Sequence, residues 1–190
     1  MSKAWPIAFV GCVMATAAYA APPREWIGQA ALPDLVVGFK NVGGGSLIVE
    51  RIPPGETVEQ WTKMVTTQRF AGVIARGGSL DEWHDYMVGA LANSCRNSQS
   101  SEPTRLTVAG RPAIEFRGDC PLNPGTGQPE TYFIRAIEGT DDLHVAQVAF
   151  RRVPTAADAE WARAHLATVT LCHVNSTDPV CVAGPEEFDR

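Results

Sequence analysis

The feature of the sequence that most constrains the fold is a series of segments with a two-residue period, joined by very short links. Gly43-Gly44-Gly45, Gly110-Arg111-Pro112 and Gly139-Thr140-Asp141 each separate two such segments. Links this short reverse the chain in a hairpin, because a parallel connection needs a dozen or more residues. The sequence therefore predicts a mainly antiparallel sheet.

The alternation is clearest near the end of the chain. Tyr132, Ile134 and Ala136 share one face of a strand, while Phe133 and Ile137 share the other. Alternating apolar positions of this kind are typical of half-buried strands. The predicted strands cover residues 26–32, 35–42, 46–52, 106–109, 113–117, 132–138 and 143–151.

Capping-box patterns predict three helices. In this pattern a hydroxyl residue is followed three positions later by an acid or amide, just before an apolar run at helical spacing. Each helix carries a tryptophan near its first turn, which we interpret as a core anchor. The three starts are Thr57 with Gln60, Ser79 with Glu82, and Thr155 with Asp158.

The resulting element order is strands, helix, helix, strands, helix. This order is typical of an α+β domain, and we expect the helices to pack on one face of the antiparallel sheet. Residues 21–181 form a single domain on this interpretation, because their number is that of one ordinary domain. Residues 182–190 are acidic and poor in apolar side chains, and we expect a flexible tail there.

Residues 1–20 have the features of a secretory signal peptide. Lys3 supplies an early positive charge, an apolar stretch follows, and the small residues Ala18 and Ala20 end the segment. This pattern predicts cleavage after Ala20. The alternative, a lipoprotein signal with Cys12 as the modified residue, would leave a very short apolar region. No later segment reaches the length of a transmembrane span.

Four cysteines remain once the leader is removed. An even number in an exported chain indicates two disulfides, and four cysteines allow three pairings. Cys172 and Cys181 are only nine residues apart, with Pro179 between them, which favours a local loop closure. Cys95 and Cys120 then pair by default. We predict that both disulfides are structural, because no spacing typical of a redox or metal site is present.

The charge balance excludes some classes of partner. The chain has a net charge of −5 and a sequence pI of about 5.4. A mildly acidic surface argues against a general nucleic-acid binder and against a protein held on anionic lipid. Nucleic acid is therefore not predicted as a partner. No metal or cofactor is predicted either, since the sequence contains none of the common phosphate-binding, hydrolase or zinc-protease motifs.

Part of the chain resembles a known superfamily. The runs "TRLTVAGRPAIEFRGDC", "TYFIRAIEGTDDLHVAQVAF" and "HLATVTL" resemble the second half of Mog1/PsbP-like domains, a superfamily that includes DcrB-like exported bacterial proteins. In that family a Gly-x-Pro-Ala turn, here 110–113, joins two strands, a hairpin follows, and a final helix crosses the sheet. "TVEQWTKMVTTQ" is similar to the family's first helix. The likeness spans about residues 26–172, and the cysteines lie outside the family pattern.

The resemblance implies a binding or assembly module, since known relatives mostly act in that way and share no catalytic motif. We therefore expect an exported, periplasmic or secreted, non-enzymatic accessory domain whose partner is a protein or another envelope component. A carrier of a small ligand, held in a groove between the sheet and the helices, is a further alternative.

An enzyme is the rival from another class. Asp141, Asp142, His144 and His173 are the candidate catalytic residues, because a carboxylate can fix the tautomer of an imidazole and make it a general base. No nucleophile with a recognisable context accompanies them, and the two aspartates also suit a hairpin turn. Convergence of Asp142, His144 and His173 in a concave pocket would favour a small hydrolase-like enzyme.

Overall fold

The computed structural model describes residues 25–43 and 46–182. The predicted signal peptide, residues 1–20, and most of the predicted tail, residues 183–190, lie outside this range. The described strands are β1 (Glu25–Gly28), β2 (Val36–Gly43), β3 (Ser46–Ile52), β4 (Lys63–Phe70), β5 (Gln99–Ser100), β6 (Thr104–Val108), β7 (Arg111–Asn123), β8 (Gln128–Glu138), β9 (Leu143–Phe150) and β10 (Thr170–His173). The described α-helices are α1 (Leu80–Ser94) and α2 (Ala156–Ala167).

Most strands belong to one antiparallel sheet in the order β2-β3-β4-β9-β8-β7-β5, with β6 also paired to β7. A second, two-stranded antiparallel sheet joins β1 to β10. The α+β class and the mainly antiparallel pairing predicted from the sequence are confirmed.

The tight link between β6 and β7 shows why short connections give hairpins here. Ala109 and Gly110 both have positive φ, 49° and 77° respectively. Two successive residues with positive φ match the right-handed twist of paired strands, which is why such turns are common in hairpins. The turn aligns Val108 with Arg111 and places β6 beside β7.

The helix predicted to begin at Thr57 does not form. Residues 57–62 are irregular, and the following residues are β4, which lies between β3 and β9. Thr57 does accept a hydrogen bond from the Gln60 amide at 3.2 Å, but this cap-like turn is not continued. The β-branched run Val65-Thr66-Thr67 favours a strand, and pairing on both sides of β4 outweighs the local capping signal. The helix implied here by the resemblance is wrong for the same reason.

The two helices lie on opposite faces of the main sheet. Leu80 and Trp83 of α1 pack against one face, in a cluster with Ile134, whereas Ala162 of α2 packs against the other face, in a cluster with Phe133. Successive residues of a strand point to opposite faces, so the central strands β8 and β9 are buried on both sides. The prediction that the helices share one face is therefore wrong, and the near-continuous apolar runs of these strands were the signal of two covered faces.

The other two helix starts are confirmed by complete capping boxes. Ser79 accepts a hydrogen bond from the Glu82 amide at 3.2 Å, and the Glu82 carboxylate accepts one from the Ser79 amide at 3.1 Å. Thr155 and Asp158 make the same reciprocal pair at the start of α2. These bonds satisfy amides that have no partner within the helix.

Both predicted disulfides are present. Cys95–Cys120 joins the end of α1 to β7, with 5.7 Å between the Cα atoms. Cys172–Cys181 joins β10 to a short 3₁₀ helix, Pro179–Cys181, with 5.5 Å between the Cα atoms. All four half-cystines are buried. One disulfide therefore ties the end of α1 to the sheet, and the other closes the loop after β10.

Candidate functional site

The turn between β8 and β9 holds the aspartates that the sequence singled out. The Asp142 carboxylate accepts a hydrogen bond from the Gly72 amide at 2.7 Å and lies 3.8 Å from the Arg69 guanidinium. The Asp141 carbonyl accepts hydrogen bonds from the Ile74 and Ala75 amides, both at 3.0 Å. These contacts fasten the turn to the segment that leads into α1.

His144 follows this turn and is almost completely buried, with 1% of its surface exposed. Neither ring nitrogen has a hydrogen-bond partner among the described residues. The pKa of His144 is lowered from 6.5 to about 4. Burial is the largest cause; the carboxylates of Asp142 and Glu25 act in the opposite direction, and the positive charges of Arg69 and Arg111 act in the same direction as burial. The side chain is therefore a neutral imidazole inside the fold at neutral pH.

His173 lies on β10, opposite Glu25 of β1. Its side chain is exposed, and its Nδ1 accepts a hydrogen bond from the Asn175 amide at 3.2 Å. It lines a polar pocket of about 470 Å³, whose lining includes Glu25 but neither Asp142 nor His144. The structure thus brings Asp142 and His144 to one turn and places His173 on β10 of the separate two-stranded sheet. No hydrogen bond among the described residues joins any two of these three side chains.

Glu25 also belongs to this region, and no sequence pattern selected it. Its carboxylate accepts hydrogen bonds from the Thr140 amide at 2.6 Å and from the Thr140 hydroxyl at 2.9 Å. It therefore links the two-stranded sheet to the turn between β8 and β9. The residues are far apart in the chain, so only the tertiary pairing could reveal this contact.

A second polar cluster surrounds Glu130, which the sequence analysis also missed. The Glu130 carboxylate accepts hydrogen bonds from the Tyr132 hydroxyl, from Asn123 Nδ2 at 2.9 Å and from Arg151 Nε at 3.1 Å. Burial and the neighbouring Glu130 carboxylate raise the pKa of Tyr132. The Arg151 guanidinium also lies 4.2 Å from the centre of the Trp61 ring. This network fastens the irregular segment before β4 to the β7–β8 hairpin.

The outer strand β2 presents apolar side chains to solvent. Val36, Val37, Phe39 and Val42 are each between 41% and 54% exposed. β2 pairs with β3 on one side and has no strand neighbour on its other side among the described residues. We refer to this outer side of residues 36–43 as the β2 edge.

Within residues 25–43 and 46–182, no three histidine, cysteine, aspartate or glutamate side chains group in a way that could hold a metal ion. In the same part of the chain, no helix is long and apolar enough to cross a membrane.

The sequence matches no protein-family model and no curated protein. In three dimensions the chain is similar to a protein of unknown function from Pseudomonas aeruginosa, with a TM-score of 0.48, 9% identity, and coverage of 75% of this chain and 92% of that one. It is also similar to the Saccharomyces cerevisiae Ran-binding protein Mog1p, with a TM-score of 0.44, 14% identity, and coverage of 73% and 78%.

A mutant of the protein Mog1 is similar to the same extent, with a TM-score of 0.45 and 14% identity over 73% of this chain and 78% of that one. All three TM-scores are below 0.5, and all three identities are below 15%. The binding of Ran is a property of Mog1p.

Proposed function

We propose that the protein is an exported, non-enzymatic binding domain, which receives an extended segment of another protein along the β2 edge. The single observation that carries this proposal is the exposure of a long, apolar strand at the end of the main sheet. Such an edge presents unpaired backbone N–H and C=O groups that another strand can pair with.

The other end of the sheet is protected in ways that β2 is not. β5 is only two residues long. On β6, Arg105 forms an ion pair with Asp81 of α1 at 2.6 Å, which places charge and a helix beside that strand. Short strands and charged side chains are the usual protections of a sheet edge. β2 has eight residues and, although Lys40 and an irregular register near Gly38 interrupt it, the stretch Phe39–Gly43 pairs regularly with β3.

The chemistry of β2 favours a different protein over a second copy as the occupant. Lys40 is the one charged residue of this strand, which contains no carboxylate. If the regular stretches Phe39–Gly43 of two copies paired antiparallel, the two Lys40 side chains would be diagonal neighbours on one face, where like charges repel. A strand of another protein with apolar residues for both faces complements the edge.

The disulfides support the exported part of the proposal. Disulfides persist in oxidising compartments such as the periplasm and the extracellular space, and are rare in the cytosol. This agrees with the secretory leader expected from residues 1–20. The partner is then a protein of the cell envelope or one outside the cell.

Site-specific photocrosslinking in the producing cells tests the proposal. A photoreactive phenylalanine analogue at Phe39 should give one discrete adduct with another protein, and the same analogue at Val153 should not. Val153 is a matched control, since it is an exposed valine outside β2. Val42→Lys should abolish the Phe39 adduct, because a second lysine opposes apolar pairing, while Val153→Lys should leave it unchanged.

Three outcomes contradict the proposal. The first is the absence of any adduct at Phe39, and the second is an adduct that forms equally well at Val153. The third is an adduct that contains only a second copy of this chain, which would show that the edge mediates self-association.

A further inference from the structure

The second half of helix α1 stands away from the sheet. Leu80 and Trp83 in its first turns are buried against the sheet, whereas Met87 and Leu91, which continue the same helical stripe, are only half-buried. The helix is held at both ends, by this apolar contact at the start and by the disulfide Cys95–Cys120 at the end. A helix fixed at two points cannot collapse freely onto the sheet between them, so a space remains beneath it.

This space is a half-enclosed pocket of about 260 Å³, which we call the α1 pocket. Met87 and Leu91 form its helix side, and Phe116 and Ile134 of β7 and β8 form part of its floor. Gly118 also lies on the floor, and the absence of a side chain there makes room for Leu91, since a Cβ atom at this position would lie 2.9 Å from Leu91 Cδ2. The pocket is therefore bounded by regular secondary structure on both sides, as ligand sites usually are.

The lining determines the kind of ligand that fits. None of the described residues that line the α1 pocket is charged, and apolar surface predominates. A charged ligand would lose its hydration there without gaining an ion pair, which is costly. The pocket accordingly selects neutral, mainly apolar molecules.

One side of the pocket offers hydrogen bonds. Gln147 of β9, Ser94 and Ser100 are polar residues of the lining. Thr66 of β4 lies directly opposite Gln147 in the strand register, and its hydroxyl is buried without a hydrogen-bond partner among the described residues. Thr66 is not itself part of the lining, so the polar lining residues are the groups that can pair with a polar group of a ligand.

We infer that the α1 pocket binds a small, neutral, aromatic or aliphatic molecule that carries one hydroxyl or similar polar group. A cavity of roughly 150 Å³ holds one benzene molecule, so this pocket has room for a bicyclic ring system of about ten non-hydrogen atoms. The site is separate from the β2 edge, and it does not depend on the proposed partner protein.

Calorimetric titration of the full mature chain with 1-naphthol tests this inference. 1-Naphthol should bind saturably with one site per chain. 1-Naphthoate, which has the same rings and a carboxylate, should bind about tenfold more weakly or less well still, because its charge is desolvated among uncharged walls.

Two substitutions in α1 provide a matched pair of variants. Ala90 lines the pocket and Ala92 is exposed on the same helix. Ala90→Trp fills the pocket and should weaken 1-naphthol binding by about tenfold or more, whereas Ala92→Trp should change it by less than about twofold. The two variants share the same change in helix propensity, so a difference between them reports on the pocket.

A measurement on the unsubstituted protein keeps the test independent of how the variants fold. In a methyl NMR spectrum, 1-naphthol should shift the resonances of Met87 and Ile134 and leave those of the exposed Val153 and Val174 in place. The inference is overturned if 1-naphthol does not bind saturably, if the charged analogue binds equally well, or if the shifts lie outside the α1 pocket.

Discussion

Replacement of His144 by leucine should make the protein markedly more resistant to acid. His144 is buried, neither ring nitrogen has a hydrogen-bond partner in the part of the chain that the structure describes, and burial is the main reason why its pKa falls from 6.5 to about 4. The attraction of Asp142 and Glu25 for a charged imidazole is opposed by Arg69 and Arg111. Folding therefore requires the neutral ring, whereas the unfolded chain accepts the proton freely.

The sign and size of the effect follow from the two pKa values. Because the folded pKa is lower than the unfolded one, the stability is fully present above pH 6.5 and is lost as the pH falls towards 4. The difference between 6.5 and about 4 corresponds to a loss of about 3 kcal/mol below pH 4. His144→Leu removes the titrating group and two unpaired buried nitrogens while keeping a side chain of similar volume.

Urea unfolding followed by tryptophan fluorescence, at several values between pH 7 and pH 4, measures this effect. The free energy of unfolding of the native sequence should fall relative to that of His144→Leu by about 3 kcal/mol across this range. Gln147→Leu, a polar-to-apolar change on the same strand without a titrating group, should follow the native sequence. If the curves of the native protein and His144→Leu stay parallel, the argument from burial is refuted.

Three further predictions concern the two disulfides, the predicted signal peptide and the buried ion pair between Glu130 and Arg151. Replacing both cysteines of Cys95–Cys120 by serine should lower the free energy of unfolding by about 3.5 kcal/mol, whereas the same change at Cys172–Cys181 should lower it by about 2.5 kcal/mol, because closing the longer loop restricts the unfolded chain more. Urea unfolding measures both losses, and a larger loss at Cys172–Cys181 would contradict this reasoning. When the full sequence with its predicted leader is expressed, N-terminal sequencing of the protein recovered from outside the cytoplasm should show a start at or near Ala21. An intact Met1 on that protein would contradict the predicted signal peptide. Arg151→Met should lower the free energy of unfolding by about 3 kcal/mol, since it leaves the Glu130 carboxylate buried without its cation. A loss below about 1 kcal/mol would contradict this expectation and show that the remaining hydrogen-bond donors around Glu130 stabilise its charge without Arg151.

Local signals explain what could be read from the sequence. The capping boxes at Ser79 and Thr155 depend on a few adjacent residues and form as predicted. A hairpin turn also forms near Gly110, but at residues 109–110 and not at 110–112, because Arg111 and Pro112 already belong to β7. The pairing of Cys172 with Cys181 follows from their closeness in the chain, which leaves Cys95 and Cys120 for each other. The antiparallel pairing of consecutive strands follows from the short links, because a link of two or three residues can join only antiparallel neighbours.

Non-local pairing explains what was missed. The capping signal at Thr57 is as regular as the other two, yet β4 forms because β3 and β9 pair with it on both sides. Likewise, the burial of both faces of β8 depends on where α1 and α2 pack. Helix and strand propensities are weak preferences, and such contacts override them.

For the candidate sites, too, residue types could be read from the sequence, whereas their surroundings depended on the tertiary structure. The sequence by itself determined which chemical groups the chain carries, such as Asp142 and His144, and the α+β class with its two disulfides, because these depend on residue type and on short-range spacing. Only the tertiary structure decided that His144 is buried without a hydrogen-bond partner and that β2 lies at the edge of the sheet, both among the described residues, and that a pocket remains beneath α1. Burial, edge position and empty space are properties of surfaces brought together from distant parts of the chain, and they exist only once the chain has packed.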